Sequence, residues 1–424
     1  MNELLKQNYN ISLEIIDFLN NIKDEIKTKL EAIKSVAMYN QIKVLSAFAR
    51  NKISTQHFNG TTGYGYDDIG RDALDLIYAD IFQAEDALVR HTIISGTHAI
   101  SLCLFAVLRP GDTLVSLTGK PYDTLEQVIG GGNSDLGSLK DFGIKYKQAE
   151  LTEGKIDHNN IMSTIDQNTK AVLIQKSRGY DWRSSLTNIE IGEIIKKVKA
   201  FNENIICLVD NCYGEFVEKD EPSAYGADLV AGSLIKNPGG GLAPTGGYIV
   251  GKSEYIKRAA YKLNSVGLGK HIGATLDTNR LILQGVFMAP HIVGEAMQTA
   301  VLCGAAFEKL GFDVSPGLHD DRSDTIQAIK FGCAQSVIEF CKGIQKGSPI
   351  DSFVTPEPWD MPGYSHKVIM AAGGFVQGSS IELSADAPIK PPYIVYMQGG
   401  LTFESAFTAI ACAVQNIADK KDLY

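Results

Sequence analysis

The chain has 424 residues, of which 44% are hydrophobic and 21% charged, enough for two or three globular domains with a large core. Its formal net charge is −9, and no basic run is longer than Lys196-Lys197-Val198-Lys199, which excludes a nucleic-acid footprint. No uninterrupted apolar segment approaches the length of a bilayer span, so no membrane contact is expected.

Residues 13–36 place Ile15, Leu19, Ile22, Ile26, Leu30 and Ile33 on one stripe at helical spacing, with charged residues between them. The stripe predicts an amphipathic helix that packs, and one that lies outside the alternating core is a candidate to cross a neighbouring subunit. The segment from His57 to Arg71 is rich in glycine and tyrosine and precedes a helix predicted over residues 72–82. Ser95 or Thr97 is the predicted N-cap of a helix running to Leu108, and Gly96 leaves its amides open to an anion such as phosphate. A strand over residues 113–117 ends in a turn that carries Tyr122, an aromatic placed where it can stack on a ligand ring. Gly130-Gly131-Gly132 lacks the context of a dinucleotide loop, because Asn133-Ser134-Asp135 starts no apolar helix.

From there strands alternate with helices: strand 171–174, helix 189–201, strand 205–209 ending at Asp210, strand 229–234, and strand 247–251. Short apolar strands in this alternation predict a parallel sheet covered on both faces, with ligands at the carboxyl ends of the strands. Arg178, Asp210 and Lys236 all follow their strands at that end. The remainder is predicted to be more helical, over residues 276–287, 291–310 and 324–342. Strands at 367–370 and 380–383 and a last helix at 403–418 complete a smaller α+β domain. The domain boundaries read as an N-terminal helical arm at 1–60, a large α/β domain at 61–275 and a small domain at 276–424.

Lys236 follows the apolar run Asp228-Leu229-Val230-Ala231-Gly232-Ser233-Leu234-Ile235 and precedes Asn237-Pro238-Gly239-Gly240-Gly241. Poor hydration at a strand end favours a lowered amine pKa and Schiff-base formation, and glycines let backbone approach a planar ligand. A lysine that forms an imine, with an aspartate to hold a pyridinium nitrogen, is the minimal protein apparatus for pyridoxal phosphate (PLP).

Two short motifs lead elsewhere. Gly246 to Ser253 matches the phosphate-loop pattern GxxxxGK[ST], but its centre, Tyr248-Ile249-Val250, is strand-like and its amides belong to a ladder. Ser233-Leu234-Ile235-Lys236 matches the SxxK of serine acyl-enzymes, yet neither SDN nor KTG follows, which leaves a serine hydrolase as a distant alternative. His319-Asp320-Asp321 reads as a solvated loop, since adjacent side chains converge poorly on one ion, so no metal is expected. The seven cysteines contain no CxxC pair, and the first residues, Met1 to Lys6, lack a secretion-signal pattern, so the expected location is a reducing cytoplasm.

With Asp210, Lys236, the Gly96-Thr97 helix start and Tyr122 assembled, the chain resembles the fold-type I PLP enzymes of cysteine and methionine metabolism. It looks like the cystathionine β-lyase and methionine γ-lyase group, and within it the bacterial branch called aluminium-resistance proteins. The most specific stretches are Val209 to Phe216, Ser233 to Gly240 and Ser380 to Asp386. The resemblance implies a mostly parallel mixed sheet in a large PLP-binding domain and a smaller α+β domain. It implies that Lys236 holds PLP and shuttles protons, Asp210 pairs with the pyridinium nitrogen and Tyr122 stacks on the ring. Gly96, Thr97, His98 and Ser233 would hold the phosphate, joined by Tyr66 and Arg71 from a neighbouring subunit of a homodimer or homotetramer. Ile235 stands where the family commonly has a hydroxyl. The family's late carboxylate-binding arginine has no single counterpart, leaving Arg178, Arg183, Arg322 and Lys390 as candidates. The implied reaction is elimination of thiol and ammonia from a sulfur amino acid, leaving a 2-oxo acid. A PLP aminotransferase and a non-catalytic PLP-binding protein are the alternatives. Nothing in these residues gives chemical support to aluminium tolerance.

Overall fold

The computed structural model describes residues 2–131, 136–152, 154–361 and 366–421. Gly132 and Asn133-Ser134-Asp135 of the glycine loop lie outside them. Four helices come first: α1 (Asn2–Tyr9), α2 (Leu13–Glu25), α3 (Lys27–Arg50) and α4 (Ile69–Ile81). Then follow β1 (Asp86–Arg90), α5 (Gly96–Val107), β2 (Thr113–Ser116), α6 (Asp123–Ile129), β3 (Lys145–Gln148) and α7 (His158–Thr164). The middle of the chain forms β4 (Thr169–Gln175), α8 (Asn188–Phe201), β5 (Ile206–Asp210), β6 (Leu229–Ser233), β7 (Gly247–Gly251) and α9 (Ser253–Leu263). The rest forms α10 (Asn279–Lys309), β8 (Asp313–Ser315), β9 (Ile326–Lys330), α11 (Ala334–Lys346), β10 (Val368–Ala372), β11 (Ser384–Pro388), β12 (Ile394–Gln398) and α12 (Phe403–Lys421).

The chain divides into two compact units, Tyr39–Ala289 and a second made of Met1–Met38 with Pro290–Tyr424. The sequence reading set its boundaries at 60/61 and 275/276.

The Tyr39–Ala289 unit is built on a seven-stranded sheet in the order β1-β7-β6-β5-β4-β2-β3. Strands β3, β2, β4, β5 and β6 run parallel, while β7 is antiparallel to both β6 and β1. This is the mostly parallel mixed sheet of a fold-type I α/β domain. Successive side chains on a strand face opposite ways, and here both faces are covered. Leu173, Leu208, Ala231 and Ile249 join α5 and α9 in one core. On the alternate face Ile174, Cys207, Val209, Val230 and Val250 are equally buried. The aromatic rings of Tyr78, Phe82, Phe216 and Tyr248 pack together nearby. All five positions of β5 and all five of β6 are buried, which fits the expected short apolar strands of a sheet covered on both faces.

The other unit carries an antiparallel five-stranded sheet, β10-β11-β12-β9-β8. Its core includes Phe307, Phe331, Phe340 and Ile410, and the stripe Ile15, Leu19, Ile22, Ile26 and Leu30 belongs to the same core. That stripe is interrupted by a helix break at Ile26, so the predicted single helix becomes α2 and α3.

Three further expectations are corrected here. The helix predicted over 324–342 is β9 followed by α11, because Ile326, Ala328 and the residues between them pair with β12 and are buried on both sides. The strand predicted at 380–383 lies four residues later, as β11. The two helices predicted over 276–310 are the single α10, which continues through Pro290. By length and composition α10 is apolar enough to cross a bilayer, but 78% of its most apolar window is buried within the protein.

Candidate active site

Parallel pairing aligns the ends of three strands. Gln175 of β4 is opposite Asp210 of β5, and Asp210 is opposite Ala231 of β6, two residues before Ser233. The chain then turns sharply, with the Lys236 amide donating to the Ser233 carbonyl at 3.3 Å. Lys236 thus leaves the sheet beside Asp210, and its Nζ lies 3.9 Å from the centre of the Tyr213 ring.

The glycines after Lys236 have a different job from the one expected. A Cβ on Gly239 would lie 1.6 Å from the Leu234 carbonyl oxygen, and one on Gly240 would lie 2.3 Å from that of Gly285 in α10. They let this loop turn back on itself and seat against a helix backbone, rather than approach a ligand.

Asp210 is buried, and its Oδ1 accepts from the Cys212 amide at 3.1 Å. Burial raises its carboxyl pKa, against the pull of Lys236. Lys236 departs from expectation. The protein around the amine lowers its pKa, but Cys212, Tyr213, Asp210 and Tyr122 outweigh that, and the amine is held well above the usual lysine range. The lowered value inferred from strand-end burial is therefore reversed, because the site surrounds the amine with groups that favour its charged form.

The start of α5 faces the end of β6. Ser95 is the N-cap, its Oγ accepting from the His98 amide at 3.1 Å, and the first intrahelical bond runs from Ala99 to the Ser95 carbonyl at 3.0 Å. The amides of Gly96 and Thr97 precede that bond, so by helix geometry they point outward as donors. Gly96 is required by close approach: a Cβ there would lie 2.8 Å from Cys212 Sγ and 3.6 Å from Ser233 Cβ. The Ser233 hydroxyl is buried without a hydrogen-bond partner. Tyr122 donates through its hydroxyl to Thr97 Oγ1 at 3.1 Å, and its amide donates to Gln175 Oε1 at 3.3 Å. An orphaned hydroxyl, free helix-start amides, a buried carboxylate, a tyrosine ring and a lysine amine match the donor set that PLP needs. The His98 ring accepts from the Ile94 amide at 3.3 Å, and burial lowers its pKa.

The remaining expected residues have the following surroundings. Arg178 lies buried just past β4. Arg183 spends its guanidinium on the carbonyls of Gln175 (2.9 Å), Ser184 (3.0 Å) and Ser177. Arg71 is buried with Nη1 on the carbonyls of Gly65 (2.6 Å) and Gly273 (3.1 Å), while Tyr66 is 60% exposed and stacks on Tyr64. Arg322 and Lys390 belong to the other unit, where Arg322 donates to Gln327 Oε1 at 2.6 Å and Lys390 is exposed. Ser233 ends a strand rather than starting a helix, which removes the SxxK context. Likewise Gly247 to Gly251 is strand β7, not a phosphate loop. Among the described residues no group of histidine, cysteine and acidic side chains is placed to hold a metal.

Sequence reasoning missed the turn after β5. Glu215 is fully buried, receives the Tyr248 hydroxyl at 2.9 Å, and has its carboxyl pushed up to about 8 by burial. Nearby Asn211 donates to Glu221 Oε2 at 2.9 Å, and Lys176 pairs with Glu218 at 2.9 Å. The run Tyr213-Gly214-Glu215 lies in the stretch singled out as specific, but its roles depend on contacts with β7 that spacing does not reveal.

Comparison with known proteins places this geometry among relatives. A model of the methionine gamma-lyase family matches residues 15–418. The chain is 52% identical over 391 residues to the uncharacterized protein YnbB of Bacillus subtilis, covering 92% of this chain and 93% of that one. A crystal structure of a carbon-sulfur lyase involved in aluminum resistance from Clostridium novyi superposes with a TM-score of 0.94 at 49% identity, covering 98% of each chain. A Clostridium acetobutylicum protein, provisionally assigned as a cystathionine beta-lyase involved in aluminum resistance, superposes with a TM-score of 0.95 at 49% identity, covering 98% of each chain.

Proposed function

The chain belongs to the methionine gamma-lyase family, and on that premise we propose that it is a PLP-dependent carbon-sulfur lyase acting on a sulfur-containing amino acid. The observation that carries the reading is the convergence of Lys236 and Asp210 at neighbouring strand ends, beside a helix start and a buried Ser233 hydroxyl that has no protein partner. PLP, when bound, supplies a ring that accepts electron density from the substrate's α-carbon.

The protein's own residues do the rest. Lys236 Nζ holds the cofactor covalently, and as a free amine it takes the α-proton and later returns it. Asp210 keeps a proton on the ring nitrogen, which maintains the ring as an electron acceptor. Tyr122, its hydroxyl anchored on Thr97 Oγ1, would offer its ring to the cofactor. The Gly96 and Thr97 amides, with Ser233 and the adjoining His98 segment, hold the phosphate at the positive end of α5. Arg178, buried just past β4 at the strand end that aligns with Asp210, is assigned as the clamp for the substrate carboxylate, with Arg183, Arg322 and Lys390 the other candidates. Tyr66, which is exposed, is assigned to a neighbouring subunit's phosphate in a homo-oligomer, while Arg71, expected to join it, is buried with Nη1 on the carbonyls of Gly65 and Gly273 and braces the loop that carries Tyr66. Elimination of a β or γ sulfur substituent, followed by hydrolysis of the resulting enamine with one water, yields a thiol, ammonia and a 2-oxo acid.

The test is incubation of the PLP-loaded protein with L-cystathionine, L-methionine and L-cysteine, with thiol, ammonia and 2-oxo acid measured together. Equal release of all three products, or of sulfide in place of thiol from cysteine, supports the lyase. Stoichiometric oxo acid without ammonia identifies an aminotransferase, and no turnover of any sulfur amino acid overturns the lyase reading.

A further inference from the structure

The turn after β5 holds two residues in left-handed backbone, Tyr213 at φ 73° and Phe216 at φ 61°. Bulky residues rarely adopt that region, and such strain persists where the surroundings over-determine it. Here they do. The Asn211 amide donates to the Ala231 carbonyl at 3.0 Å, and the Gly214 amide to the Asn211 carbonyl at 2.9 Å. The Phe216 amide donates to Glu221 Oε1 at 2.9 Å, and the Asn237 side chain to the Glu215 carbonyl at 3.0 Å. The last bond joins the turn to the residue next to Lys236. Held in this way, the Tyr213 ring presents its face to Lys236 Nζ at 3.9 Å, well inside the range of cation–π attraction.

We propose that Tyr213 is a positioning residue for Lys236, its ring face holding at the site the ammonium that forms once the amine, released from cofactor, has taken a proton. The proposal rests on the reading of Lys236 as the proton carrier. When the amine takes a proton from the substrate's α-carbon it gains one N–H and a positive charge, and the ring stabilises that charge without taking the proton. A neutral ring can do this repeatedly, whereas a carboxylate at the same place would compete for the proton. The other groups acting on the amine are Asp210 at the end of β5, Cys212 and Glu215 in the same turn, and Tyr122 at the start of α6.

The test uses the cofactor-free protein and two variants. Tyr213→Gly removes the ring and also suits positive φ, so the backbone gains no new strain. Tyr213→Phe keeps the ring. Each protein is labelled with trinitrobenzenesulfonate over a range of pH, and the Lys236 peptide is quantified by mass spectrometry, with exposed Lys257 as the internal reference. The midpoint of Lys236 labelling is expected to fall by about one pH unit in Tyr213→Gly and to stay within about 0.3 unit in Tyr213→Phe. In the loaded enzyme kcat is expected to drop about tenfold in Tyr213→Gly with KM within about twofold, and Tyr213→Phe is expected to retain most of the activity. An unchanged midpoint in Tyr213→Gly, or an equal fall in Tyr213→Phe, overturns the proposal. Because labelling needs neither cofactor nor turnover, its outcome is separate from success or failure of the lyase assay.

Discussion

Replacing Glu215 by glutamine is expected to remove a pH-dependent weakness of the folded protein. The Glu215 carboxyl is fully buried, and burial raises its pKa from 4.5 to about 8. Because the folded value lies above the unfolded one, the folded state binds this proton more tightly. Below the unfolded value both states are protonated and the group contributes nothing. As pH rises through the window the unfolded chain releases the proton first, and the folded state loses stability until it too ionises near pH 8. At about 1.4 kcal/mol per pH unit the full effect is on the order of 5 kcal/mol, of which about 3 falls between pH 6 and pH 9. Glutamine keeps an oxygen to accept the Tyr248 hydroxyl, now at 2.9 Å, but cannot ionise. The unfolding free energy of Glu215→Gln relative to wild type, measured by urea titration with circular dichroism, is therefore expected to rise by about 3 kcal/mol from pH 6 to pH 9. A difference that stays flat over that range would refute the assignment of a buried, neutral Glu215.

Three other substitutions probe separate parts of the structure. Ser233→Ala removes a hydroxyl that has no protein partner, so stability should hold while PLP affinity, measured by equilibrium dialysis, weakens about tenfold; unchanged affinity would mean that the hydroxyl does not meet the phosphate. Gly96→Ala drives a methyl to 2.8 Å from Cys212 Sγ and should cost about 1–3 kcal/mol by thermal unfolding. Adding Cys212→Ala should restore more than half of that loss, and no restoration would place the clash elsewhere. Phe307→Ala empties a ring site whose centroid is 5.1 Å from Phe340 and 5.5 Å from Phe331, and should cost about 3–5 kcal/mol in denaturant. A loss below about 1 kcal/mol would contradict the aromatic core of that unit.

The parts of the site that were legible in the sequence are those fixed by a strand and its end. Leu229 to Ser233 and Ile206 to Asp210 are short apolar runs that only a doubly covered sheet accommodates, and a polar residue closing such a run must emerge at its edge. That logic located Asp210 and Lys236. It gave the wrong direction for the amine, because burial was visible in sequence but the ring of Cys212, Tyr213 and Tyr122 around it was not. Strands β1 and β3 escaped notice for different reasons. Asp86–Arg90 is closed by charged residues, and the buried Arg90 pairs with Asp75 at 2.7 Å. Lys145–Gln148 is an edge strand whose alternate residues stay exposed, so it carries little apolar signal. The break expected between helices 276–287 and 291–310 is absent, α10 running on through Pro290, and the apolar positions of β9 follow a strand period rather than the expected helical one. Tyr213 and Glu215 depend on φ values and on cross-sheet partners such as Tyr248, which no local pattern encodes.

The most direct test of the central claim is to load the purified protein with PLP, reduce it with borohydride, and map the modified peptide by mass spectrometry. Wild type is expected to carry one cofactor adduct, on Lys236, and Lys236→Ala to carry none. An adduct on a different lysine, or a wild-type protein that takes up no PLP, would contradict the assignment of Lys236 and Asp210 as the cofactor site.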